Sequence, residues 1–388
     1  MAADDLSLLI DGVEYIGWQE VRVTRGLERT PPDFDLKVFD RGNPAIVIAK
    51  PGKPCVVRLG SDTVITGYVN RYRPGVNKST GSRRTVSGRG KTQDLVDCSA
   101  YLRGIANQIS NATTRAVIER LCGLHGLQVE ARDGDGAVVP QFNVILTERS
   151  WDIIDRVARH SEFLAYEGPD GRLVLTKLGK DRHASGFREG INVEDADVAF
   201  SDDQRYSLYE AVYMPTETLG DVAQASASSD YNLRARATDR TIGTDRPGTG
   251  ERFRPLILIA ETMQNGVDIA ERRVRWERAR RIGRSQALTI VVPSWRDAAG
   301  RLWEPGYRVP VHVPSCHVVD AEWVISEVTY RKGRDGTFAD VTVMPEDAFL
   351  PEPVLLSPFD WQVQQTLDQD RILRDGGAQR TSGTGPGV

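Results

Sequence analysis

The chain has 388 residues, 40% hydrophobic and 27% charged, a length for two to four domains and a composition for a chain that folds in water. Fifty Lys and Arg against 54 Asp and Glu leave a formal net charge of -4 at pH 7, which gives no electrostatic case for nucleic acid as the main partner. Asp4 and Asp5 stand where a signal peptide would carry bases, no apolar run approaches the roughly 18 residues of a membrane helix, and Cys55, Cys98, Cys122 and Cys316 are far apart with no C-x-x-C pair. The expectation is a chain assembled in a reducing cytoplasm, its thiols buried as small hydrophobes.

Residues 6–100 read as all-β. Leu6–Ile10, the turn pair Asp11-Gly12 and Val13–Ile16 have a hairpin pattern, and residues 21–23 and 34–39 alternate apolar with polar. Further strands are expected at 45–49, 55–59, 63–72 and 84–87, with Pro31-Pro32, Gly42-Asn43-Pro44, Pro51-Gly52 and Pro74-Gly75 between them, the punctuation of a sandwich or barrel. Residues 113–124 and 150–160 carry helical stripes: Val117, Leu121 and Leu124 on the first, Trp151, Ile154, Val157 and Ala158 on the second, with Ser150 as the expected N-cap. A hairpin pattern about Glu167-Gly168-Pro169-Asp170-Gly171 follows, so this stretch reads as a small α+β domain. Residues 198–215 are strand-like, and 219–254, poor in large apolar groups, are expected to be a long loop. A helix is expected over 260–282, β structure over 285–343 and a fraying tail beyond 350. The fold class expected is mainly β with an α+β insert: a first β-barrel at 1–100, the insert at 101–195, a second β-barrel at 196–350 and an extension at 351–388.

Two β segments repeat one order of cues. Residues 33–41, Pro51-Gly52, 54–57, the run Thr66–Gly75 and 84–88 are echoed by 286–293, Pro305-Gly306, 307–311, the run Glu322–Gly333 and 339–343. In each copy a Pro-Gly follows the first strand, and the long strand ends in Tyr, a base and Gly. A duplicated β-barrel leaves such a record. A ring of such chains presents twice as many similar units as it has subunits, and closed rings come from heterologous interfaces.

Catalytic patterns are weak. Gly88-Arg89-Gly90-Lys91-Thr92 ends like a phosphate loop, but Thr85 stands where the leading Gly belongs and a β segment surrounds it. The histidines, His125, His160, His183, His312 and His317, form no H-E-x-x-H; His312 and His317 with Cys316 lack a fourth zinc ligand. Asp202-Asp203 and Glu346-Asp347 are the carboxylate pairs a glycan or peptidoglycan hydrolase would need, and they read as solvated neighbours. No Gly-x-Ser-x-Gly occurs. No metal, no cofactor and no enzymatic activity are expected. A tail-associated hydrolase and a carbohydrate-binding module stand as alternatives.

The best site candidate is the Arg-rich helix: Arg272, Arg273, Arg275, Arg278, Arg280 and Arg281 make a basic stripe on which Trp276 can stack. It reads either as a contact for an acidic partner or neighbouring subunit, or as a solvated face with intrahelical pairs such as Glu271–Arg275 and Glu277–Arg281. Trp303, beside the turn Glu304-Pro305-Gly306, is a candidate interface anchor.

The stretch Arg84-Thr-Val-Ser-Gly-Arg-Gly-Lys-Thr-Gln-Asp-Leu-Val-Asp-Cys-Ser99 resembles a motif of the baseplate hub proteins of Mu-like contractile-tailed phages. So do Arg281-Ile-Gly-Arg-Ser285 and Ser294-Trp-Arg-Asp-Ala-Ala-Gly-Arg-Leu-Trp-Glu-Pro-Gly306, and the order of barrel, insert, Arg-rich helix and second barrel. The resemblance spans roughly residues 5–350 and extends to the hub half of contractile injection spikes. It implies a virion protein: a homotrimer whose barrels form a pseudo-sixfold ring between tail tube and central spike. The tape-measure protein would end inside that ring and baseplate wedge proteins would surround it. The spike is expected to be a separate chain, and the resemblance assigns no role to residues 219–254.

Overall fold

The computed structural model describes residues 5–40, 49–78, 81–101, 108–145, 147–178, 180–214, 234–261, 266–354 and 356. The first unit contains β1 (Leu6–Ile10), β2 (Val13–Tyr15), β3 (Glu20–Gly26), β4 (Asp33–Asp40), β5 (Pro54–Leu59), β6 (Asp62–Asn77) and β7 (Gly81–Gly90). They lie in the order β3-β4-β7-β6-β5-β1-β2, all neighbours antiparallel. Asp11 and Gly12 both take positive φ, as a two-residue hairpin turn between β1 and β2 requires. The alternation in β7 becomes alternate burial, with Val86 inside and its neighbours at the surface.

The insert contains α1 (Gln93–Asp97), β8 (Gln108–Thr113), α2 (Thr114–Gly123), β9 (Val129–Ala131), β10 (Val138–Asn143), α3 (Ser150–His160), β11 (Leu164–Glu167) and β12 (Leu173–Thr176). The helical stripes fill a core of their own, where Val117 and Leu121 of α2 meet Ile153, Ile154 and Val157 of α3. Thr113 caps α2, its hydroxyl accepting the Ala116 amide at 3.3 Å. Ser150 does not cap α3: Arg149 holds the N-cap position, and Ser150 is the first helical residue, buried. Leu95 of α1 belongs to this core, so the insert begins near residue 92, before the expected 101.

The remaining elements are β13 (Phe187–Arg188), β14 (Asp195–Phe200), β15 (Leu208–Met214), β16 (Arg234–Thr238), β17 (Pro255–Glu261), α4 (Gly266–Arg284), β18 (Gln286–Val292), β19 (Arg308–Val313), β20 (Val318–Gly333) and β21 (Gly336–Met344). β13 and the start of β14 already belong to the second β unit, so the expected boundary at 196 falls too late. Within the stretch expected as a long loop, Arg234–Thr238 is a strand paired with β15, and residues 219–233 lie outside the described residues. Residues 260 and 261, expected to open the helix, end β17 instead, and α4 begins at Gly266. α4 packs on the sheet β16-β15-β17 through Ala270 and Val274 against Tyr209 and Ala211.

The second unit runs β14-β18-β21-β20-β19-β13, the order β3-β4-β7-β6-β5-β1 over again, except that the two-residue β13 pairs with β19 in parallel where β1 pairs with β5 antiparallel. The long strands β6 and β20 are each 16 residues, and each carries a bulge against its hairpin partner at the same depth. The extra residue is Asn70 in β6, between Val69 and Arg71, and Ser326 in β20, between Ile325 and Glu327. Strand order together with a bulge at a matched position argues for internal duplication beyond shared turn chemistry.

Neither unit is a closed barrel among the described residues, which corrects the expected pair of tubes. One continuous sheet runs through both, because β20 leaves β19 at Val324 and pairs antiparallel with β3 over Glu327–Lys332. The strand edge that closure would have used is spent on the other unit. Thr24 and Thr329 hydroxyls meet across this joint at 3.0 Å, and Arg29 bridges Asp33 (2.6 Å) and Glu327 (3.2 Å). Arg296 adds contacts to Asp62 and the Leu59 carbonyl at 2.6 and 3.0 Å. The apolar residues of both units form one core.

Candidate interaction surfaces

α4 is positioned by its apolar side, and its arginines fan out from there. Arg272 pairs with Glu162 of the insert and Arg273 with Glu352. Arg275 pairs with Glu271 one turn back at 2.8 Å. Arg280 donates to the Leu350 carbonyl (2.9 Å) and to Glu28 (2.8 Å), and Glu28 also takes Arg284 at 2.5 Å. Arg281 binds Glu277 (2.8 Å) and Gln204 (3.1 Å) and lies over the Tyr206 ring. Trp276 donates to the Leu350 carbonyl at 2.7 Å, with Arg273 and Arg280 stacked 5.0 and 5.7 Å from its ring. Only Arg278 of the six makes no ion pair or hydrogen bond among the described residues.

The basic stripe therefore serves mainly as an internal clamp that fastens the insert, the β3–β4 turn and residues 350–352 to one helix. Two of its arginines, Arg275 and Arg278, remain exposed. The expected pairs Glu271–Arg275 and Glu277–Arg281 are present; Glu28 and Glu352 were not foreseen. Glu28 lies 252 residues from Arg280 in sequence, and no periodicity links them. The clamp also corrects the start of the extension. Residues 351–354 and 356 are docked, Glu352 pairing with Arg159 at 2.8 Å and Leu356 N donating to His160 Nδ1 at 3.3 Å. The tail from 357 on lies outside the described residues.

Trp303 is not an exposed anchor. It is 1% exposed and packs between His183 (4.9 Å) and Phe187 (4.7 Å). Its indole N–H donates to the Ser294 carbonyl at 3.1 Å, and its own carbonyl accepts the Tyr330 hydroxyl. An aromatic next to a Pro-Gly turn is held inward here because its ring packs on His183 and Phe187 and its N–H reaches the Ser294 carbonyl.

The chemical motifs have structural explanations. Gly88 and Gly90 lie in β7, where a Cβ would come within 2.3 Å of the Tyr68 carbonyl and 2.2 Å of Glu167 Oε1 respectively. The Lys91 and Thr92 amides, where a phosphate would bind, donate to the Glu167 carboxylate at 3.0 and 2.9 Å, and the Thr92 hydroxyl donates as well. An acidic side chain thus fills the anion position and ties the first unit to the insert. Burial raises the Glu167 pKa to about 7, outweighing these hydrogen bonds. The phosphate-loop look is a close-packing device.

His183 and Asp297 form a buried pair at 3.0 Å, but the other ring nitrogen accepts the Glu304 amide at 3.2 Å. Nδ1 therefore carries the proton and donates to Asp297, and burial lowers the His183 pKa, so this is a neutral imidazole with both nitrogens occupied. It activates no nucleophile. Asp202 is engaged by Arg252 and Arg254, Glu346 by Arg308 at 2.5 Å, and His312 by Asp320 at 2.9 Å. No cluster of three or more metal-ligating side chains occurs among the described residues. No described helix is long and apolar enough to cross a membrane.

Comparison with known proteins places these units. Residues 5–90 match the N-terminal domain of the Mu phage baseplate assembly protein GpP-like family. Residues 92–177 match the second domain of the baseplate hub protein gp44-like family, and 266–352 the fourth domain of GpP. The baseplate hub protein gp44 of Escherichia phage Mu is 27% identical over 355 residues, covering 90% of this chain and 89% of that protein. The prophage MuSo2 43 kDa tail protein from Shewanella oneidensis superposes with a TM-score of 0.77 at 28% identity, over 90% of this chain and all of the other (100%). A tail protein from Neisseria meningitidis MC58 does so with 0.71 at 19%, over 90% and 98%.

Proposed function

We propose that this chain, a structural baseplate hub of a phage tail like its Mu-type relatives, acts as a ring of three copies joining the tail tube to the central spike. The observation that carries this reading is the repeated strand order inside one chain. Three copies then present six related sheet units, so one face suits a sixfold tube and the threefold chain symmetry suits a spike. The tape-measure protein ends within the ring, and wedge proteins contact it from outside. Assembly takes place in the host cytoplasm. The chain's relatives are tail and baseplate proteins, which supports a non-catalytic role, and the buried His183–Asp297 pair has both ring nitrogens engaged.

Light scattering across a range of concentrations tests this. A species of three times 43.0 kDa that persists on dilution supports the ring. A monomer both alone and with the spike chain overturns it. Digestion of peptidoglycan by the purified chain, abolished by changing one carboxylate, would overturn the non-catalytic reading.

A further inference from the structure

The duplication implies where the copies meet. Inside one chain, β20 of the second unit pairs with β3 of the first. The repeat maps β20 onto β6 and β3 onto β14. Both equivalent edges are unpaired among the described residues. β6 is paired with β5 only as far as Tyr68, so the outer edge of Arg71–Val76 carries no strand. β14 pairs with β18 alone; at its start, Cys316 Sγ lies 3.7 Å from the Ala196 carbonyl. We propose that β14 of one copy pairs antiparallel with Arg71–Val76 of the next, repeating between chains the joint made within each chain. This rests on the ring reading above and names its interface.

The register follows from the internal joint. Aligning the two bulges places Glu327 on Arg71 and Lys332 on Val76. Carrying the β3–β4–β7 pairings onto β14–β18–β21 places Val21 on Ala196 and Arg25 on Phe200. The internal partners Val328–Arg25, Tyr330–Val23 and Lys332–Val21 become Tyr72–Phe200, Pro74–Val198 and Val76–Ala196 between copies.

The chemistry of the two edges agrees with that register on both faces. One face brings Tyr72, Pro74 and Val76 to Phe200, Val198 and Ala196, all of them apolar. Val76 is 88% exposed and Phe200 53% exposed in the single chain, large apolar groups on strand edges without cover. The other face brings Arg71, Arg73 and Gly75 to Ser201, Ala199 and Asp197. Arg73 then sits diagonally beside Asp197, with Gly75 leaving it room. The β6 edge is basic, with Arg71 and Arg73 exposed; the β14 edge is acidic, with Glu194, Asp195 and Asp197 exposed. Such edges attract head to tail and repel like to like, which favours a closing heterologous ring over a twofold dimer. Pro74 stands where β20 has Tyr330 and removes one N–H, and the Ala196 carbonyl already faces Cys316 Sγ, so this ladder is one to two bonds poorer than the internal one.

The test uses the full chain in a Cys98→Ser, Cys316→Ser background, because both thiols are accessible, with Tyr72→Cys and Phe200→Cys made singly and together. Directly opposed residues of antiparallel strands lie within disulfide reach. Under mild oxidation, mixing the two single variants gives a reducible band at twice the chain mass, and the double variant adds one at three times; neither single variant alone gives a band. As a second measure, Arg73→Asp weakens association about tenfold and Asp197→Arg restores it, with circular dichroism unchanged. Absence of cross-linking from a chain that sediments as an oligomer overturns this interface and leaves the ring to another face. Absence of cross-linking from a chain that is monomeric at every concentration, with the spike chain as well as alone, overturns both.

Discussion

Glu167 gives the sharpest prediction of pH dependence. Its carboxylate is buried between β11 and the Lys91–Thr92 amides, and burial raises its pKa from 4.5 to about 7. A group whose pKa is higher folded than unfolded holds its proton more tightly when folded. Its contribution to stability is full below the unfolded value of 4.5 and is lost as pH rises through about 7. At about 1.4 kcal/mol for each pH unit between the two values, the loss is roughly 3 kcal/mol, most of it between about pH 5 and 8. Glu167→Gln stays neutral throughout. It carries a constant penalty of about 1–3 kcal/mol, because its NH2 group faces backbone donors, but not the slope. Urea unfolding followed by circular dichroism, at both pH values, separates the two effects. The wild type is destabilised by the higher pH relative to its own value at the lower one, and the variant is not. Parallel pH dependences for the two proteins would refute the reasoning, since they would place the titrating group elsewhere.

Two further outcomes follow from the packing. Trp303→Ala, which empties a site closed by His183, Phe187 and Tyr330, lowers stability by about 3–5 kcal/mol in urea denaturation. A loss under about 1 kcal/mol would return Trp303 to the surface. Arg280→Ala removes the clamp to Leu350 and Glu28 and costs about 1–2 kcal/mol, whereas Arg278→Ala stays within about 0.5 kcal/mol. Equal costs by the same denaturation assay would mean that the clamp is not a contact of consequence.

What the sequence disclosed depended on how far its signals reach along the chain. The alternation of Phe34–Phe39 and of Arg84–Ser87 marked strands because burial on one face imposes a period of two. The echo of Pro-Gly turns and long strands was visible because each unit is built from neighbouring segments. The joining of the two units was not visible. The pairing of Val328 with Arg25 spans some three hundred residues and leaves no periodic trace, so two separate barrels were expected where one sheet runs through both. The arginines of α4 were legible as a basic stripe. Their partners Glu28, Glu162 and Glu352 come from three other segments, and no spacing rule connects them. Trp303 was misplaced because a Pro-Gly turn signals the surface, whereas His183 and Phe187, more than a hundred residues earlier, cover the side chain beside it.

The two joints of the proposed ring differ in kind, and that difference is measurable. The β20–β3 joint forms within one chain, where its strands are held at high effective concentration, and is reinforced by Arg29, Asp33 and Glu327. The β14–β6 joint must form between chains and has Pro74 where the internal joint has Tyr330. A ladder short of one hydrogen bond loses about 0.5–1.5 kcal/mol, or roughly two- to tenfold in association. Pro74→Ala restores the N–H and should lower the concentration at which copies associate by that factor, measured by sedimentation. The fold of the single chain should not change, because Arg84 on β7 already faces this position from the other side. Unchanged association, with Tyr72→Cys and Phe200→Cys still cross-linking, would mean that the residue 74 N–H points toward β7, and the weakness of the joint would then need another source. Association strengthened without any cross-link would put the same edge of β6 against another strand or in another register.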